Sequence, residues 1–220
     1  MKHVLLKRLA LSVCTASLLV GTLMACVPLV IGGAAAGGSL VATDRRTSGA
    51  QLEDEGIELR GTSRIRANLG ERGHVNLTSY NRQVLLTGEV PTAQDKQLVE
   101  QIISRVENVA SVVNELAVSG NSSLTQRSAD TLVTGRVKAQ MIDAPDLFSN
   151  AFKVVTERGT TYLMGRVTQR EADRATNVVR ATSGVQKVVR IFEVISEDEL
   201  ARLLPAPSKP QPDSTKPVAN

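Results

Sequence analysis

Apolar positions in the middle of the chain change their period in a regular order. Ile57, Gly61, Ile65 and Leu69 recur every four residues, the stripe of a single helix face. His74 to Tyr80 and Gln83 to Val90 alternate as strands do, with a turn at Asn81-Arg82 between them. Pro91 then opens a second helix, since Pro is tolerated in a first turn, and Val99, Ile102 and Val106 share one face of it. Ser111 to Val118 supplies a last strand. The same order returns further on. Asp130 is placed to cap a helix carrying Val133, Val137 and Met141. Phe152 to Glu157 and Thr161 to Val167 form a hairpin around Arg158-Gly159. Thr168-Gln169-Arg170-Glu171 is a capping box for the next helix, and Lys187 to Ile195 closes a second sheet. The pattern predicts an α+β chain of two α-β-β-α-β units, each with helices packed on a small mixed three-stranded sheet.

The units also repeat in sequence. Leu86-Thr87-Gly88-Glu89-Val90 matches Leu163-Met164-Gly165-Arg166-Val167, and the stretch from Val109 to Val118 matches that from Val185 to Val194. The separation between the matched segments differs by one residue from unit to unit. Each unit is short enough for its core to be marginal alone, so packing of one on the other would help.

The flanks read differently. Lys2, Lys7 and Arg8 precede an uncharged apolar run from Leu9 to Ala25, the layout of a secretory signal peptide. The run ends in Leu23-Met24-Ala25-Cys26, which resembles a lipobox, the site at which a Cys sulfur receives diacylglycerol. Met24 is bulkier than the usual residue there. A transmembrane anchor over Leu9 to Thr43 is the other reading, weakened by Pro28 and the glycines from Gly32 to Gly38. The expected organisation is a signal peptide at 1–25, a lipidated Cys26 with a Gly/Ala-rich tether at 26–51, and domains at 52–119 and 124–195. A disordered tail at 196–220 follows, marked by Pro205, Pro207, Pro210, Pro212 and Pro217.

Cleavage before Cys26 changes the charge and the chemistry. Cys14 and His3 leave, so no disulfide is possible and His74 is the lone imidazole. Loss of three basic residues lowers the formal net charge from +4 to about +1, and support for a nucleic-acid partner goes with it. No Cys or His cluster fits a zinc site, and the tether glycines do not lie between a strand and a helix as in a phosphate loop. His74 is expected at a strand edge on the surface, and Glu53-Asp54-Glu55 and Glu197-Asp198-Glu199 as solvated helix-terminus charges. Neither an enzyme nor a cofactor or small-molecule substrate is expected.

Residues 54–118 hold seven basic and nine acidic side chains, whereas 124–195 hold eleven and seven, a net of −2 against +4. The second unit therefore suits an anionic surface, although a few net charges also serve solubility alone. Its first helix sharpens the contrast. With Val133, Val137 and Met141 towards the sheet, Gly135, Ala139 and Ile142 fall on the far side at about 100° per residue, with Leu132 at the edge and Arg136 and Lys138 flanking. An apolar ridge with basic flanks fits shallow membrane insertion; packing against the first unit is the competing reading. The matching helix of the first unit carries polar Thr62, Ser63 and Arg66 instead.

Gly88 and Val90 with Val109 and Val112, and Gly165 and Val167 with Gly184, Val185 and Val188, resemble the signature of the BON domain. Asn108 stands where the second unit has Gly184. Two BON domains behind a lipobox resemble lipoproteins on the periplasmic face of the outer membrane, and the lipoprotein resemblance further implies that Val27 after the Cys, rather than Asp, directs the chain to the same destination. The resemblance implies binding of anionic phospholipid membranes through the second domain and support of outer-membrane integrity. It also implies a presence at division sites and an influence on the outer-membrane protein assembly machinery as partner. On that reading the phospholipid contacts are Leu132, Gly135, Arg136, Lys138, Ala139 and Ile142, and Cys26 is the lipidation site. A protein dock for envelope assembly, or a periplasmic stress protein without a defined ligand, remain the alternatives.

Overall fold

A computed structural model describes residues 44–203. The expected signal peptide and lipidation site at Cys26, most of the expected tether, and the expected tail from residue 204 lie outside the described residues. Helix α1 (Ser48–Leu69) is capped by Thr47, whose hydroxyl accepts the Ala50 N–H at 3.1 Å. It begins within the stretch expected to be tether. Ile57, Gly61, Ile65 and Leu69 form its buried stripe, as the period predicts, and Asp54 is buried with them. Strands β1 (His74–Tyr80) and β2 (Gln83–Val90) pair antiparallel. Asn81 and Arg82 both take positive φ, 50° and 67°, which matches the twist of a two-residue hairpin.

The cap of α2 (Ala93–Ser104) is Thr92 rather than Pro91. The Thr92 hydroxyl accepts the Asp95 N–H at 3.0 Å and donates to the Asp95 carboxylate at 2.7 Å, leaving Pro91 outside the helix. Pro91 is also the extra residue that separates the two repeats, because Val90 is followed by Pro91 and then the cap, whereas Val167 is followed directly by the cap Thr168. The single last strand expected at 111–118 is two pieces, β3 (Ser111–Asn114) and β4 (Ala117–Val118), both parallel to β2. The register is unbroken across the gap. Asn114 takes the Leu116 N–H on its side chain at 3.2 Å, and Leu116 turns into the core.

In the second unit α3 (Leu124–Ile142) starts earlier than expected. Ser123 and Gln126 form its capping box, so Asp130 lies inside the helix and caps nothing. A short 3-10 turn (Ser149–Ala151) leads to β5 (Phe152–Glu157) and β6 (Thr160–Val167), antiparallel across Arg158-Gly159, again both at positive φ. Helix α4 (Gln169–Arg180) carries the expected Thr168/Glu171 capping box, and β7 (Lys187–Val194) runs parallel to β6. Helix α5 (Glu197–Leu203) occupies the start of the expected tail.

Successive residues on the central strands serve different cores. Val84 and Leu86 face α1 and α2, while Leu85 faces away; Leu163 faces α3 and α4, while Tyr162 and Met164 face away. The away-facing residues, with Tyr80 and Ile191, form a third cluster between the two sheets. The layers therefore run helices, sheet, sheet, helices, and the third cluster supplies what neither short unit buries alone.

Candidate functional site

Helix α3 presents its ridge to solvent. Val133, Val137 and Met141 are buried against the sheet, while Leu132 is 62 % and Ile142 67 % exposed. Gly135, Arg136, Lys138 and Ala139 are exposed between them. A methyl added at Gly135 would meet open space. The face is thus not covered by the first unit, which removes the competing reading of an internal helix contact. Phe148, 48 % exposed in the loop beyond α3, adds an apolar side chain that periodicity could not place. Two grooves flank the helix. One of about 500 Å³ is lined by Lys138, Met141 and Ile142 with Asp44 and Gln51 opposite. The other, of about 520 Å³, is lined by Leu132 and Arg136 with Arg158 and Gln186.

Charge on this face is uncommitted. Arg166, Arg170, Arg174 and Arg190 are each paired to carboxylates. Among the described residues, Arg136 and Lys138 join no hydrogen bond or ion pair. Two free cations beside exposed Leu and Ile can meet a surface that is anionic outside and apolar beneath. The contrast with α1 is smaller than its sequence implies. Thr62, Ser63 and Arg66 are exposed, but so are Leu52 (71 %) and Leu59 (74 %).

Three acidic or basic residues differ from expectation. Asp54 is buried and accepts the backbone N–H groups of Asn81 and Arg82 at 2.7 and 2.8 Å, so it is no solvated terminus charge. Asp130 does the same for Arg158 and Gly159 at 2.8 and 3.0 Å. Each first helix thereby clamps its own hairpin. His74 is half-buried, with its Nδ1 3.4 Å from the fully buried Glu89 carboxylate. Glu89 also accepts from Ser122, and Arg158 lies 3.6 Å away.

Residues 59–120 and 129–196 match the family described as BON domain. The chain belongs to the BON domain family. It is 38 % identical over 175 residues to the outer membrane lipoprotein DolP of Haemophilus influenzae, covering 79 % of this chain and 90 % of that one. It is 29 % identical over 154 residues to the 21 kDa hemolysin of Actinobacillus pleuropneumoniae, covering 69 % and 79 %. Osmotically-inducible protein Y of Escherichia coli is 27 % identical over 135 residues, covering 58 % and 67 %. The chain is thus a two-BON protein similar to DolP. Among the described residues no helix is long and apolar enough to cross a membrane, and no group of three His, Cys, Asp or Glu residues could hold a metal.

The BON domains meet along a polar seam around the apolar third cluster. Asn76 of β1 donates to Glu157 of β5 at 2.7 Å, Asn81 to Glu193 at 2.7 Å, and Lys153 pairs with Glu58 at 2.8 Å. Burial pushes the Glu157 carboxyl above its ordinary range, and the nearby Glu89 and Asp130 charges add to this. A raised carboxyl contributes stability that is complete below its ordinary pKa and lost as pH rises through the folded value. Glu157→Gln keeps an acceptor for Asn76 and removes the charge. Its urea midpoint is therefore expected to equal or exceed that of the unsubstituted chain at pH 8, and to lose that advantage at pH 4. A lower midpoint at pH 8 would show that the charge itself stabilises the seam.

Proposed function

We propose that this BON protein is a lipid-anchored protein of the outer membrane that reads anionic phospholipid through α3 of its second BON domain and helps keep the membrane intact. The observation that carries the reading is the exposed Leu132–Ile142 ridge with Arg136 and Lys138 unpaired beside it. The likeness to a protein named outer membrane lipoprotein, and the lipobox ending at Cys26, support the anchor and the compartment. On this reading the acyl chains supply residence and the ridge supplies preference among lipids. Shallow burial of two large apolar side chains contributes about 1.5–3 kcal/mol each at most. Each well-placed basic residue adds about 1 kcal/mol near an anionic surface, screened by salt.

The test is sedimentation of residues 40–220, without acyl chains, with vesicles of rising phosphatidylglycerol content. Binding is expected to rise with anionic lipid and to fall with salt. Leu132→Glu with Ile142→Glu is expected to weaken it more than about tenfold, the equivalent of 1.4 kcal/mol, with circular dichroism unchanged. Unweakened binding by the double variant would remove α3 as the contact. No binding at any composition would turn the ridge into a protein dock, to be pursued by crosslinking in the envelope.

A further inference from the structure

Just before α1, consecutive residues grip different domains. Arg45 reaches into the second BON domain, where its guanidinium donates to both Glu171 carboxylate oxygens at 2.8 and 2.7 Å and to the Arg166 carbonyl at 2.8 Å. The side chains of Arg45 and Glu171 are only 2 % and 1 % exposed. Glu171 is also the carboxylate of the α4 capping box, accepting the Thr168 N–H at 3.0 Å. Arg46 turns to the first domain. It pairs with Asp44 and with Asp54 and lies over the Tyr80 ring, 4.3 Å from its centroid. Tyr80 belongs to the cluster between the sheets and donates its hydroxyl to the Ala151 carbonyl of the second domain.

A buried ion pair is a poor source of net stability, because desolvation offsets its attraction, but it is demanding of position. A planar guanidinium bound at three acceptors tolerates one placement only. We propose that residues 44–47 are a strap that locks the two BON domains in one orientation and delivers the chain leading to Cys26 beside the α3 ridge. Asp44 and Gln51 line the same groove as Lys138 and Ile142, so the start of the strap lies at the end of the ridge. The anchor is then fastened to both domains rather than trailing from the first, and it holds the ridge towards the leaflet that carries it. The delivery to the ridge rests on the lipid reading above; the lock between domains does not.

The test places spin labels on the lipidated full chain through Ala67→Cys on α1 and Arg180→Cys at the end of α4, both exposed positions. In detergent, without a bilayer, the unsubstituted strap is expected to give one narrow distance. Arg45→Met, which keeps the apolar stem, and Glu171→Gln, which keeps an acceptor for the cap, should each widen the distribution about twofold while circular dichroism stays the same. Unchanged widths overturn the lock, and Glu171→Gln decides alone if Arg45→Met fails to fold. On phosphatidylglycerol vesicles, a label at Ala139→Cys should contact bilayer-dissolved oxygen, and Arg45→Met should reduce that contact about threefold. Widened distances with undiminished contact overturn the delivery. If the label at 139 never meets lipid with the strap intact, the ridge reading has failed instead, and the detergent distances still decide the lock.

Discussion

Gly88→Ala is expected to destabilise the folded chain by about 3 kcal/mol, lowering its melting temperature by roughly 10 °C. Gly88 sits on β2 at φ 107°, a conformation that side chains rarely adopt, and a Cβ there would collide with the backbone carbonyl of His74 on the paired strand. Backbone cannot yield as a side-chain tip can, so the hairpin must distort. Strain of this kind and overpacking each cost about 1–3 kcal/mol. The same exchange at Gly135 has the opposite sign. That residue lies on the exposed face of α3 with nothing near its missing Cβ, so Ala there should stabilise by up to about 1 kcal/mol through helix propensity. Thermal melts of the two variants check both. A Gly88→Ala chain that melts with its parent would mean that β1 can move aside at its start.

Gly88 was legible in the sequence as a repeat position beside Val90, but its reason was not, because a positive φ inside a strand leaves no trace in hydrophobic period. What periodicity does report is local, and there the agreement is close. The stripe from Ile57 to Leu69, the hairpin turns at Asn81-Arg82 and Arg158-Gly159, and the Thr168 capping box all stand as their spacing predicts. The face of α3 is also right, since a helix stripe defines its own opposite side. Errors gathered where a polar side chain chooses a distant partner. Arg45 looked like part of a loose tether, yet its carboxylate partner is 126 residues away. Asp130 looked like a cap because Asp often is one, but Ser123 with Gln126 supplied the better cap and left Asp130 for the hairpin. One signal could have found the pair. Asp54 and Asp130 stand at the same place in the two repeats, three residues before Ile57 and Val133. A shared acid at matched positions argues for a shared internal role.

That role makes Asp54 the most costly polar side chain to remove from the first BON domain. Its carboxylate accepts the Ser79 hydroxyl at 2.6 Å, the Asn81 and Arg82 N–H groups at 2.7 and 2.8 Å, and the Arg46 guanidinium at 2.9 Å. Asp54→Ala leaves the buried Ser79 hydroxyl and two turn N–H groups without their acceptor and strips the partly buried Arg46 of one of its two carboxylates, which is expected to cost about 3–5 kcal/mol. Asp54→Asn keeps the shape and one acceptor oxygen but loses the charge, so its cost should fall nearer about 2 kcal/mol. Their pH dependence separates charge from shape. Burial alone would raise the Asp54 carboxyl; the hydrogen bonds from Ser79, Arg82, Arg46 and Asn81 outweigh it and hold the group below its ordinary range. A lowered carboxyl contributes stability that is complete above its unfolded pKa and lost as pH falls through the folded value. The gap between the parent chain and Asp54→Asn in urea melts should thus be constant from pH 6 to 8 and should close progressively below about pH 4. At pH 7, Asp130→Asn should cost less than Asp54→Asn, because Asp130 accepts two backbone N–H groups and no arginine. A gap at Asp54 that persists unchanged into acid would assign its contribution to shape, and would leave the Arg46 end of the strap held by the Tyr80 ring and Asp44 alone.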